Sequence, residues 1–350
     1  MEQSFPHSLR KHSVKRSTAL WTRLLSRQTV RSFEKQANRE FKQALTPLLD
    51  YLAAGDNLTD EQWNDWHISQ VHSGTQNLLY RTTNVQDDFA VKFIKPTNHR
   101  AWREYGSLLA LDQAGLSIAP KPVMIESSSY FQPVIVMTWL KGDASYTSPT
   151  EEAEWISLIE HYASIHRLTP ENTGIRLPSA FFNANSVEAA KELVCRKVTS
   201  VSVEASTPTL MSVVHRWEAS PFPDLENGRT SLCRSDANIH NFVRRQDKWA
   251  SVDWEYGGWG DPAFEIAGLL TQPTLIGITS SRTDWIINTY CELMGDMNTA
   301  TRIQTFYKMM VVWWAARYAL ALYNTPLDEP KYSTRRAKYK HYINLADTLF

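Results

Sequence analysis

Strand-like and helix-like sequence are sorted into different stretches of this chain, and that sorting limits the folds open to it. From about Gln70 to about residue 141 the apolar runs are short and of β type. "QVHSGTQNLLYRTT" reads as strand, turn at Ser73-Gly74-Thr75, and strand. "DFAVKFIKP" is an apolar run bearing Lys92 and ended by Pro96, and "PVIVMTWLKGD" is a buried-type strand running into a turn at Gly142. One helix interrupts them: "HRAWREYGSLLALDQAGL" has helical spacing through Trp102, Tyr105, Leu108, Leu109 and Leu111 and stops at Gly115. Beyond residue 150 the texture is helical. "EEAEWISLIEHYASIHRL" is one amphipathic helix opened by acids, and 183–230 mixes helix and loop. From about residue 283 the pattern is helical almost to Phe350, with a break at "NTPLDEPKYS".

A chain of 350 residues suits one bilobal unit or two domains. Its 37 basic and 37 acidic residues cancel, which gives no support to nucleic-acid binding. Cys195, Cys233 and Cys291 lie far apart without a C-x-x-C pair, as expected of reduced thiols in a cytoplasmic protein. No apolar run approaches the ~18 residues of a membrane span; the longest, "MMVVWWAARYALAL", contains Arg317. No internal repeat is visible.

The first fifty-odd residues are rich in Arg, Lys, Ser and Thr, and Glu2 is the only acid before Glu34. Leu20, Trp21, Leu24 and Leu25, then Phe33, Phe41, Leu45, Leu48 and Leu52, follow helical spacing. The expectation is helices docked on the body with a solvated basic face. Organelle targeting through a basic, acid-poor N-terminus is the alternative.

The chemistry concentrates in "CRSDANIHN" and, twelve residues on, "VDWEYGGWGDP". Moving a phosphoryl group from ATP needs a carboxylate facing the attacking hydroxyl, a magnesium site and a cation on the phosphates. Asp and Asn supply the hard oxygen ligands magnesium prefers. A loop with Asp236 and Asn241 at its ends, followed by a short hairpin ending in Asp253, could provide the carboxylate and two ligands. Lys92 could hold phosphates, paired with Glu104 on the next helix. Asp261, followed by Pro262, reads as a helix cap.

These stretches resemble the aminoglycoside phosphotransferase and choline kinase-like family. "RSDANIHN" stands where the family has His-x-Asp-x-x-x-x-Asn, "VDWE" where it has a hydrophobic-Asp-aromatic-Glu segment, and "GDP" matches directly. "SGTQNLLYRTT" is similar to its nucleotide loop, "AVKF" to its lysine strand, "VMTWLKG" to its hinge, and "HYASIHRL" to a helix end carrying a His. The likeness covers about residues 70–325 in order and is most specific over 232–267. It implies an α+β, bilobal protein-kinase-like fold. A basic helical extension would span 1–60, a small antiparallel-sheet N-lobe 61–141, and a larger, mostly helical C-lobe 142–350.

The resemblance also implies an ATP- and Mg2+-dependent kinase of a small hydroxylated molecule. Asp236 takes the place of the catalytic carboxylate, and Asn241 and Asp253 those of the magnesium ligands. Nucleotide contacts fall to Lys92 with Glu104, to Ser73, Gly74 and Thr75, and to the hinge 136–140, including Met137 and Trp139. Glu255 is expected to support the site or stand in solvent. One departure is Arg234 in place of the usual His, where a guanidinium could brace the loop by hydrogen bonds. A loop that has lost catalysis, leaving a nucleotide-binding or interaction module, is the alternative.

Other readings are weaker. "GGWGDPA" fits a dinucleotide pattern, but no βαβ unit surrounds it. There is no G-x-x-x-x-G-K-[ST] loop. His161 and His166, five apart, are expected at the surface or at a helix end rather than on a metal. Trp314 and Tyr318 share a helix face, as do Trp313 and Arg317; such aromatics are expected in the core, although a pair could cage an ammonium group. Arg317 and the lack of an acidic run point to a neutral or singly charged acceptor instead of a polyamine sugar.

Overall fold

In the computed structural model, the outer face of a six-stranded antiparallel sheet is covered by the helix α1 (Arg39–Ala54), the first element among the described residues. The structure describes residues 39–350 apart from 56–57, 72–76, 98, 145–147, 227 and 247. Its strands are β1 (Asp60–Trp63), β2 (Trp66–Val71), β3 (Leu78–Thr83), β4 (Asp88–Phe93), β5 (Pro122–Glu126) and β6 (Val134–Thr138). They lie in the order β1-β2-β3-β4-β6-β5. Pro47 removes one donor from α1, so the helix relies on what it buries. Leu45, Leu48, Leu49 and Leu52 pack on Ile68, Tyr80, Val91 and Val136. Lys42 adds an ion pair to the buried Glu126. The docked helix expected of Leu45, Leu48 and Leu52 is therefore present, while Leu20 to Phe33 and the targeting question lie outside the described residues.

The inner face meets α2 (Arg100–Gln113). Side chains alternate across a strand. Phe89, Val91 and Phe93 therefore face α1, while Ala90 and Lys92 face α2. With both faces covered, β4 reads as a nearly continuous apolar run, and Lys92 is its one charged residue beyond Asp88.

The rest is helical: α3 (Glu152–His166), α4 (Pro170–Thr173), α5 (Val187–Thr199), α6 (Pro208–Ala219), α7 (Pro262–Leu270), α8 (Ser280–Met294), α9 (Thr299–Tyr323) and α10 (Lys331–Leu349). The stretch 183–230 resolves into α5 and α6, each capped by a hydroxyl, Ser186 and Thr207. The break before α10 falls in "NTPLDEPKYS" as expected. A second break, at Gly295 with φ +69°, splits what reads as one helical stretch into α8 and α9.

Two hairpin-like pairs interrupt the helices. β7 (Ser231–Cys233) pairs with β10 (Gly258–Gly260), and β8 (Phe242–Arg245) with β9 (Lys248–Ser251), all antiparallel. The loop 234–241 and the turn 252–257 thereby hang side by side. One apolar cluster joins Ala90, Tyr105 and Ile135 to Leu168, Leu232 and Trp254, so the sheet and these loops share a core. Among the described residues, no helix is long and apolar enough to cross a membrane.

Candidate active site

The short strands bring the loop carboxylates to the inner face of the sheet. Lys92 Nζ bonds Glu104 Oε2 at 2.7 Å and Asp253 Oδ1 at 2.6 Å, with the lysine and Glu104 side chains 6% and 0% exposed. Burial works against the Lys92 charge, but Glu104, Asp253 and Glu255 outweigh it and hold the ammonium well above its ordinary value. Burial also lifts Asp253, yet the charge and hydrogen bond of Lys92 prevail and keep its carboxyl below the usual range. The lysine, helix glutamate and hairpin aspartate thus form one buried unit.

Asp236 lies across the loop. Its Oδ1 accepts from the Asn238 amide at 3.0 Å and its Oδ2 from Asn241 Nδ2 at 2.8 Å. The asparagine turns its NH2 toward Asp236, leaving its carbonyl oxygen as the hard donor. Burial raises the Asp236 carboxyl above its ordinary value, while Arg234 and the Asn238 amide pull it down. Backbone strain marks both segments: Ser235 has φ +61° and Asp253 φ +62°, in the left-handed region costly for a side chain.

What holds the strained loop is Glu265 on α7, a residue the sequence reading passed over. It accepts the Ser235 amide at 2.7 Å and the Arg234 amide at 2.9 Å, and it bonds His166 Nε2 at 2.8 Å. His166 Nδ1 meets the Tyr290 hydroxyl at 2.8 Å. The histidines are not on the surface: His166 ends α3 fully buried, and His161 is buried between Trp249 O and Ser251 Oγ, each at 3.1 Å. Burial, then the Arg234 charge, pushes His161 down to about 3, so it packs as a neutral ring. His166, Cys233 and Glu265 offer three ligand-type atoms within 4.8 Å, but two are already bonded to each other and serve as the loop's brace. The signal for Glu265 was its place in the first turn after the Asp261 cap.

Arg234 is 0% exposed and does brace the loop. Its Nη2 donates to Val252 O at 2.9 Å, and its guanidinium lies 4.6 Å from the Phe242 ring centre and 5.5 Å from that of Trp254. Asp261 caps α7 through the Ala263 amide at 2.8 Å, with a salt bridge to Arg302 that sequence did not suggest. Glu255 is buried instead of solvated: it accepts from Asn77 at 2.8 Å and Arg100 at 3.1 Å.

The hinge residues are less simply placed. Met137 is buried in the core of the sheet. The Trp139 amide is taken by Asp88 O at 2.8 Å and the Thr138 amide by Lys121 O at 2.9 Å, so a purine does not find those two donors free. Ser73, Gly74 and Thr75 lie outside the described residues.

Whether the donors suit a divalent cation follows from their chemistry. Glu104, Asp253 and Glu255 each place a carboxylate oxygen within 4.8 Å of the others, beside the Asn241 loop. Glu104 and Glu255 are taken by Lys92 and Arg100, so the oxygens left to suit Mg2+ are the second carboxylate oxygen of Asp253 and the side-chain carbonyl of Asn241. The Val252 amide joins their segments by bonding Asn241 O at 2.9 Å.

Beyond Asp236 opens a cavity of about 320 Å³ lined largely by rings, including Phe181, Tyr256, Trp313 and Trp314. The core reading of the aromatic pair holds in part. Trp314 stacks on Tyr318 and on Tyr342, with ring centres 5.8 Å and 5.9 Å apart, and also reaches the cavity.

A sequence profile of the phosphotransferase enzyme family matches residues 67–284. Protein LicA of Haemophilus influenzae is 32% identical over 59 residues, 17% of this chain and 21% of that protein's length. Among solved structures, a Ralstonia eutropha protein described as an aminoglycoside phosphotransferase superposes with a TM-score of 0.64. The superposition covers 88% of this chain and 98% of the other at 14% identity. Spectinomycin phosphotransferase, solved with ADP and spectinomycin, gives 0.57 over 86% and 97% at 13% identity. At such identities the likeness shows the fold.

Proposed function

The chain belongs to the phosphotransferase enzyme family, and from that premise we propose that it is an ATP- and Mg2+-dependent kinase acting on a hydroxyl of a small molecule. The observation that carries this reading is the meeting, in one cleft, of Lys92 bonded to Glu104 and Asp253 with Asn241 bonded to Asp236.

In this reading Asp236 orients the acceptor hydroxyl and takes its proton. The freed oxygen forms a bond to the γ-phosphorus, the bond from that phosphorus to the β–γ bridging oxygen breaks, and ADP leaves. Burial suits Asp236 to the task, because a raised carboxyl is a better proton acceptor. Lys92 neutralises the phosphate tail, and Glu104 fixes the direction of its ammonium. Asn241 and Asp253 would hold Mg2+, which when bound supplies charge neutralisation on the phosphates. Arg234 and Glu265 act below the loop, by keeping Asp236 in place. A cytoplasmic location is part of the same reading, supported by three cysteines that are all free thiols.

The test is a phosphoryl-transfer screen with Mg·ATP over amino alcohols, sugars, nucleosides and aminoglycosides, read as acceptor-dependent ADP release. Turnover that vanishes in Asp236→Ala is expected. Magnesium-dependent nucleotide binding without turnover on any acceptor would leave the silent module as the better reading.

A further inference from the structure

The rings of the acceptor cavity already carry this chain's own cations. Arg103 lies 6.0 Å from the centre of Phe181, and Arg100 5.0 Å from that of Tyr256. Arg317 is 5.5 Å from Trp313 and 5.4 Å from Trp314, and Lys197 is 5.2 Å from Trp313. A ring face attracts a cation through its negative quadrupole, so a second cation there meets repulsion. Glu255 answers the charge of Arg100. Among the described residues, no carboxylate pairs with Arg317 or Lys197.

The polar atoms of the cavity point the same way. Two acids line it, Asp236 and Glu265, and Glu265 is spent on Arg234, Ser235 and His166. Trp314 Nε1 and Ser235 Oγ are buried without a partner, and both residues line the cavity. Trp314 Nε1 can only donate. The wall thus offers flat apolar faces, unspent donors and unpaired positive charge.

Resting on the phosphotransfer reading above, we infer that the acceptor carries, besides its reacting hydroxyl, a flat apolar body and one anionic group, a carboxylate or a phosphate. The hydroxyl meets Asp236, the body lies among the rings, and the anion meets Arg317 with Lys197 beside it. The Arg317 guanidinium lies near both rings with no ion pair among the described residues, and its fork of N–H donors suits the paired oxygens of either anion.

Four probes share one ring and one hydroxyl and differ in charge: para-hydroxymethylbenzoate, its amide, the matching benzyltrimethylammonium alcohol, and para-hydroxymethylphenyl phosphate. Phosphorylation with Mg·ATP is measured alongside calorimetric binding in the presence of Mg·ADP. One of the two anions should exceed the amide in kcat/KM by about tenfold, the scale of one charge-assisted hydrogen bond, with the ammonium compound lowest. Whichever anion leads identifies the group. Arg317→Met should collapse the ratio of anion to amide, and Arg317→Lys should restore part of it, a pattern that general loss of folding does not give. A preference for the ammonium probe, an unchanged ratio in Arg317→Met, or no binding of either anion overturns the inference. Anions that bind through Arg317 but are never phosphorylated support the anionic pocket and remove the phosphotransfer reading instead. An ammonium probe phosphorylated best does the reverse.

Discussion

The two walls of the cleft are made of opposite materials. On the wall to which the proposed function gives the phosphates, Lys92, Glu104, Asp253, Glu255 and Arg100 form a network of charges, nearly all buried and all bonded to one another or to a neighbour. On the wall proposed for the acceptor, rings dominate, drawn from residues as far apart in the chain as Phe181 and Trp314. Charges in a buried site act only when held to a fraction of an ångström, and here they sit on a strand (Lys92), on α2 (Arg100 and Glu104) and on one short strained turn (Asp253 and Glu255). Apolar surface is less exacting, because many large side chains in many arrangements can supply it. One wall is specified by residue type and spacing, the other by shape.

The largest expected break in this division is at its seam. Asp236 touches both walls, and Asp236→Ala should lower turnover by about 10²–10⁴ while leaving nucleotide affinity nearly unchanged, as read by steady-state kinetics and calorimetry. Turnover near that of the parent would sink the assignment. On the phosphate wall, Asp253→Ala should raise the magnesium needed for half activity, and Lys92→Met should weaken ATP binding by about 10- to 100-fold. A magnesium titration of Asp253→Ala that overlays the parent removes Asp253 as a ligand.

The acceptor wall should respond more gently. Phe181→Ala, a partly exposed ring, should raise the acceptor KM about three- to tenfold and leave ATP binding alone. If ATP affinity falls equally, the two walls are not separable.

A pH profile sharpens the contrast. Activity needs ionised Asp236, so it is lost as pH falls through that group's pKa, which burial places above the ordinary Asp value. Arg234 opposes the rise, so Arg234→Gln should move the acid limb of kcat/KM to higher pH. Phe181→Ala should not move it. The smallest effect on chemistry is expected far from both walls. Leu48→Ala on α1 should cost about 2–5 kcal/mol of stability in a denaturant titration, with kcat unchanged.

The same division explains what could be read from the sequence. Asp236, Asn241 and Asp253 stand out in the sequence because the base and metal ligands of the proposed function would each ask for one residue type at one spacing, and the structure holds Asp236 on Asn241 and Asp253 on Lys92. The Lys92–Glu104 pair is suggested by the order of a lysine strand and a glutamate helix and by the resemblance, since β4, apolar on both faces, shows no alternation that would say which side meets α2. Glu265 and Arg302 escaped, since a lone acid or base on a helix is ordinarily solvated; even the first-turn place of Glu265 after the Asp261 cap marks an acid at a helix start, not a buried one. His161 was expected to be more open than it is, and of the two places expected for Glu255 it takes the supporting one, because burial depends on what arrives from elsewhere in the chain. Trp313 and Trp314 carry helical spacing, which says that they face inward but not toward what, while Phe181 and Tyr256 sit in turns that have no periodicity to read. A strained φ at Ser235 leaves no trace in residue type, whereas one at an Asn or Asp is at least tolerated.

The helix on the outer face of the sheet has a consequence on the ribosome. α1 leaves the exit tunnel before any strand it will cover, and its leucines find their full floor only once β6, ending at Thr138, has been made. At ~5–20 residues per second the wait is roughly 5–15 s. A 16-residue helix containing a proline is marginal on its own during that interval. Stalled chains ending after Thr83 should therefore be cut readily around Leu48 by a protease, and chains extended well past Thr138 should resist. Birth order alone thus predicts an interval in which the apolar face of α1 is uncovered, whatever its stability in the finished fold.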